Sequence, residues 1–123
     1  MPVAPRMSAG KVSAHTAARQ VAERSADVRA AVLLDAAGSL LGSSGADPKG
    51  ARQLGELGRR LVEQADAVSA EPVEQIEVQM TEGGVFAVRT PRYVLACVTR
   101  RLALPALVLY DLRQTMLELE AAT

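Results

Sequence analysis

The residues equipped for chemistry in this chain are few and lie far apart in the sequence. A single imidazole, His15, stands on the polar side of an Ala-rich segment with no Cys, Asp or Glu at metal-ligand spacing, which reads as a surface position. Cys97, the sole cysteine, lies in the apolar run Tyr93-Val94-Leu95-Ala96-Cys97-Val98 and reads as a small core residue rather than a redox or ligand group. Ser43-Ser44-Gly45 offers hydroxyls but no base in a fixed relation to them, and reads as a turn. Gly38, Gly42 and Gly45 lack the Lys-Ser/Thr that completes a phosphate loop. Glu74 and Glu77 are separated by an odd number of residues, so on a strand they point to opposite faces and cannot share a proton. No catalytic, metal-ligating or cofactor-binding residue is assigned, and an enzyme is not expected. Two Arg pairs remain, Arg59-Arg60 and Arg100-Arg101; with acids interspersed they read as solvated charge, or as a local patch for an acidic partner.

Composition narrows the class further. The chain has 123 residues, enough for one core and too few for two comfortable domains. Fourteen basic residues balance fourteen acidic ones, which removes the electrostatic argument for nucleic acid. The longest apolar run, Leu102 to Tyr110, is nine residues and contains Pro105, against about 20 for a membrane span. With no apolar signal-like segment near the start and no possible internal disulfide, cytoplasmic residence is expected.

The elements that would position these residues are legible from turns and periodicity. Residues 1–10, with Pro2, Pro5 and Gly10, read as a flexible leader, and 11–123 as one domain. From Lys11 a helical pattern puts Ala14, Ala17, Ala18 and Val21 on one narrow face, which predicts the least firmly held element. Val28 to Ser44 reads as two strands about an Asp35-x-x-Gly38 turn, because Gly38 tolerates positive φ and the Asp35 carboxylate can bond the turn backbone. Asp47-Pro48 is an N-cap followed by Pro at the first helical position. Leu54, Leu57, Leu61, Val62, Ala65 and Val68 continue that helix as an apolar stripe. Gly55 and Gly58 lie inside it at a cost of about 1 kcal/mol each relative to Ala. With Ala51 they form a flat surface for a second helix or a sheet, unless they are tolerated residues on a solvated face.

Residues 73–80 alternate, with Ile76, Val78 and Met80 opposed to Gln75, Glu77 and Gln79, the pattern of a half-buried strand. Thr81-Glu82-Gly83-Gly84 reads as a tight turn in which Gly-Gly supplies positive φ, leading to a strand over 85–90, and Pro91-Arg92 leads to another over 93–99; both are apolar on each face and so belong in the middle of a sheet. Leu104-Pro105 opens a last helix whose ridge is Val108, Leu112, Met116 and Leu119. An alternating strand with one polar face belongs at an edge, where unpaired backbone groups can be satisfied by pairing across a two-fold axis.

The order helix, strand, strand, helix, three strands, helix resembles the Roadblock/dynein light chain domain family. The resemblance runs through Glu82-Gly83-Gly84-Val85-Phe86-Ala87-Val88 and Tyr93-Val94-Leu95-Ala96-Cys97-Val98 into Leu109-Tyr110-Asp111-Leu112-Arg113. It implies an α+β fold of profilin-like type, αββαβββα, with a five-stranded, mainly antiparallel sheet and helices on both faces. It also implies a homodimer formed by the edge strand (Gln75, Glu77, Gln79) and the second helix (Ala51, Gly55, Gly58, Val62). The glycines would then let two helices approach, and Gly58→Arg would break the dimer while sparing the fold. A two-fold axis at Glu77 would oppose like charges, so the centre is expected elsewhere. By the same resemblance the chain is a non-enzymatic regulator or scaffold for a Ras-like small GTPase, with Arg100 and Arg101 facing the partner. The alternative reading is a small-molecule-sensing module or a self-assembling scaffold. Two Tyr, one Phe and no Trp give such a sensor few aromatic walls.

Overall fold

A computed structural model describes residues 12–122. The leader expected at residues 1–10 lies outside the described residues. Among the described residues eight elements follow one another: α1 (Ala17–Arg24), β1 (Val28–Asp35), β2 (Leu40–Ser44), α2 (Pro48–Ala67), β3 (Gln75–Met80), β4 (Gly83–Arg89), β5 (Tyr93–Thr99) and α3 (Pro105–Ala122). The strands form one sheet in the order β2-β1-β5-β4-β3, and every neighbouring pair is antiparallel. This is the expected α+β architecture, with β1, β4 and β5 inside and β2 and β3 at the edges.

The turns explain the hairpins. The Asp35 carboxylate Oδ1 accepts the N–H groups of Ala37 and Ser39, both at 2.9 Å, and Gly38 takes φ 93°. The second hairpin departs from expectation. Met80 pairs with Gly83, so Thr81-Glu82 make the turn and the two glycines are strand residues. Gly83 has φ 154°, and a Cβ there would lie 2.0 Å from the Thr99 carbonyl oxygen, so close backbone approach is what requires it. Ser43 and Ser44 are likewise strand residues, opposite Val32 and Ala31, rather than a turn.

The sheet separates two cores. On one face Ala31, Leu33, Phe86, Val88, Leu95 and Cys97 pack against α1 and α3. On the other, Ala30, Val32, Leu34, Ala87, Val94 and Ala96 pack against Ala51, Leu54 and Val62 of α2. α1 is shorter than its periodicity predicts: the Ser13 carbonyl accepts the N–H of Thr16 and Ala17, and the Ser13 N–H donates to Thr16 Oγ1. Those local bonds make a turn of residues that could have continued a helix. The narrow Ala face is nevertheless wholly buried at Ala17, Ala18 and Val21. Arg24 fastens the helix to α3, donating to both carboxylate oxygens of Glu118 at 2.6 and 2.7 Å and to Thr115 Oγ1 at 2.9 Å.

Candidate interaction surfaces

Among the described residues no group of three or more His, Cys, Asp or Glu could hold a metal ion, and no helix is long and apolar enough to cross a membrane. His15 is exposed, and Cys97 is buried with its thiol pushed up to about 12 by that burial, a state unsuited to nucleophilic work. Four surface features remain.

The first is the β3 edge. Its register with β4 is unbroken over six residues, whereas β2 at the opposite edge is five residues long and its register slips between Leu33 and Leu34. A bulged edge resists further pairing and a regular one invites it. Gln75, Glu77 and Gln79 are exposed on one face; Gln79 Nε2 donates to Glu77 Oε2 at 2.9 Å, and Gln75 Oε1 accepts from Arg113 of α3. Ile76 packs against the α2-side core, while Met80 on the same face is 52% exposed.

The second is the outer side of α2. Asp47 Oδ1 accepts the Gly50 N–H at 2.7 Å and Pro48 sits in the first turn, so the helix starts as its sequence predicts. Ala51, Gly55, Gly58 and Val62 all meet the sheet of their own chain. A Cβ on Gly55 would lie 3.2 Å from Leu34 Cδ2, and one on Gly58 would lie 3.3 Å from Ala96 Cβ. Close packing is therefore the reason for the glycines, and what approaches them is the Leu34 side chain of β1 and the Ala96 methyl of β5. The apolar stripe is wider than its own core can cover: Leu57 is 39% exposed, Val68 is 89% exposed and Leu61 is half-buried.

The third is an open cleft of about 930 Å³ that sequence reading missed. It lies where the β1–β2 turn, the second half of α2, the 68–74 loop and the β4–β5 turn converge. Leu34, Val62 and Val94 supply apolar lining, and Asp35, Glu63, Asp66, Glu71 and Glu74 supply carboxylates against Arg59 and Arg89. Both arginines are already engaged. Arg89 binds Asp66 with two bonds of 2.6 and 2.8 Å, and Arg59 pairs with Glu56 and Glu63. Asp66 Oδ1 also accepts the Val73 N–H at 3.0 Å, which ties the loop to α2. The Arg89 guanidinium, then the Val73 N–H, hold the Asp66 carboxyl below its ordinary range.

The fourth is the loop from Arg100 to Leu104 at the other end of the sheet. Arg100 Nε donates to Asp27 Oδ1 at 2.7 Å, while Arg101 is exposed and forms no ion pair among the described residues. Leu102 is 93% exposed at φ 64°, the only positive φ outside glycine among the described residues. With Met80 and Pro105 it lines a shallow groove of about 410 Å³.

A single antiparallel sheet between an α1/α3 layer and an α2 layer is the architecture of the Roadblock and profilin domains, and the chain has that fold. It is similar over 86% of its length, and 93% of the other chain, to a Roadblock/LC7 domain from Streptomyces avermitilis, with a TM-score of 0.79 at 20% identity. Myxococcus xanthus MglB matches 85% of the chain and 83% of its own length at 13% identity, with a TM-score of 0.67. Acanthamoeba castellanii profilin IB matches 89% of the chain and 98% of its own length, with a TM-score of 0.57 at 16% identity. No family model and no curated relative matches the chain by sequence.

Proposed function

We propose that this chain is a non-catalytic homodimeric scaffold that binds a Ras-like small GTPase and modulates its nucleotide cycle. The carrying observation is the β3 edge, a regular six-residue strand at the margin of the sheet. The likeness to MglB and to Roadblock domains supports the reading at the level of the fold.

The residues favour one register. A two-fold axis perpendicular to a continuous sheet pairs residues on the same face, so it passes Ile76, Glu77 or Val78. At Glu77 it opposes two carboxylates. At Ile76 it sets Val78 against Glu74 of the partner subunit. At Val78 it sets Glu77 beside Gln79 of the partner subunit and Ile76 beside the partner subunit's Met80, giving charge to amide and apolar to apolar. Since Ala51, Gly55, Gly58 and Val62 face their own sheet, the contact between the two α2 helices falls to Leu57, Leu61 and Val68. The dimer then offers a composite face to a GTPase, with Arg100 and Arg101 turned to the partner. Tighter binding to one nucleotide state shifts the GTPase toward it. The absence of any aromatic side chain from the cleft lining disfavours the small-molecule reading.

Light scattering and affinity capture test this. The wild-type chain is expected to be dimeric, and Val78→Lys, which sets two cations across the axis, monomeric with unchanged circular dichroism. A Val78→Lys protein that stays dimeric rejects the register. Capture from lysate with GDP or a non-hydrolysable GTP analogue is expected to recover a small GTPase in one nucleotide state; recovery in neither overturns the partner.

A further inference from the structure

The cleft and the Arg100–Leu104 loop stand at opposite ends of the sheet and carry opposite chemistry. The cleft is floored by Leu34, Val62 and Val94, and its five carboxylates outnumber its two guanidiniums. Glu71 and Glu74 on its rim are exposed and form no ion pair among the described residues, so an acidic excess persists after the two arginines are paired. The loop is cationic at Arg101, since Arg100 is paired with Asp27, and apolar at Leu102 and Leu104, which are 93% and 61% exposed. Leu102 is held in the left-handed region, where a residue with a Cβ is disfavoured. A large apolar side chain kept both strained and solvated is unexplained by the packing of its own chain, and strain of this kind points to a function for the segment.

We infer that the Arg100–Leu104 loop of one copy docks into the cleft of a second copy, so that the chain associates head to tail. Leu102 and Leu104 would meet Leu34, Val62 and Val94, and Arg101 would meet Glu71 and Glu74. The loop follows the C-terminal end of β5 and the cleft borders its N-terminal end. At about 3.3 Å per residue a seven-residue strand sets them roughly 20 Å apart, so a loop cannot reach its own cleft. A contact between two different surfaces is heterologous and repeats from copy to copy, into a ring where the rotation closes and into a filament where it does not. The cleft volume, about 930 Å³, accommodates several side chains at once. This association is separate from pairing at β3 and does not depend on it.

Sedimentation velocity over a concentration series tests the inference. The wild-type chain is expected to show a sedimentation coefficient that rises with concentration at about 0.1 M salt and falls back at about 1 M, where the Debye length shrinks from about 10 Å to about 3 Å. Leu102→Gly removes the apolar knob and relieves the backbone, and Glu71→Lys with Glu74→Lys reverses the rim; both proteins are expected to show no growth. In a Val78→Lys background, designed to remove β3 pairing, the single chain is still expected to grow. There an equimolar mixture of the loop and cleft variants is expected to give a one-to-one complex and nothing larger. A wild-type coefficient independent of concentration overturns the proposal, as does undiminished growth of either variant. Growth abolished by Val78→Lys alone assigns the association to β3 and overturns it equally.

Discussion

The two faces of the sheet are closed by opposite means. Toward α1 and α3 the core is built from bulk, with Phe86, Leu33, Leu95, Leu112 and Leu119 essentially inaccessible and Arg24 locking the two helices together. Toward α2 it is built from smallness, with Ala51, Gly55 and Gly58 letting the helix lie on Leu34 and Ala96. Bulky residues fill the space beneath α3, although that helix still shows Leu107, Tyr110 and Leu117 to solvent at 58%, 56% and 64% exposure. Small residues bring a helix in closely, which leaves Leu57, Leu61 and Val68 outside and a cleft open at the helix's second half. The α1/α3 layer is the thicker core, and the α2 layer combines a thin core with the cleft beside it.

Substitutions in the two layers should therefore behave differently. The largest loss is expected on the bulky side, where Phe86→Ala should cost about 3–5 kcal/mol in denaturant unfolding. A loss no larger than about 1 kcal/mol would mean that this core is not closely packed. On the thin side the expected defect comes from added volume. Gly58→Leu should cost about 1–3 kcal/mol, because the new side chain meets Ala96 at once. Gly58→Arg belongs to the same class and should damage the fold as well as any dimer. A Gly58→Leu protein as stable as the wild type would show that α2 can lift from the sheet.

Charge pairs test the same contrast at lower amplitude. Glu118→Ala leaves Arg24 with only Thr115 and should cost about 1 kcal/mol, since both side chains keep partial contact with solvent. Thermal unfolding reads this loss, and Arg24→Met with Glu118→Ala should cost little more than Glu118→Ala alone. Asp66 should give the smallest effect. Its carboxyl is held below the ordinary value of 3.8, so its contribution is complete above about pH 4 and is lost as pH falls through the lower folded value. The stability gap between wild type and Asp66→Asn should thus narrow on acidification from neutral pH. A gap unchanged down to pH values near 2 would separate Asp66 from the acid response.

Much of the fold was legible because the interactions that encode it are local. Asp35 and Gly38 form their turn within five residues, Asp47 caps the helix that Pro48 opens, and the alternation from Gln75 to Met80 marks a strand with one wet face. The surface sites were legible only in part. Gly55 and Gly58 signalled close approach, but a glycine admits any close neighbour and does not say which element supplies it. Gly83 looked like a turn residue because the Thr99 carbonyl beside it is sixteen positions away in sequence. Nothing in the residues around Leu102 distinguishes a buried leucine from one held out in solvent.

Order of elements, strand faces and caps follow from residue type and spacing alone, since each depends on neighbours within a turn or a strand. Which half of the α2 stripe is covered, where the carboxylates of three separate segments converge, and which end of the sheet presents an exposed leucine were decided by packing. Those outcomes depend on distances between segments far apart in the chain, and only the assembled sheet with its helices in place sets such distances.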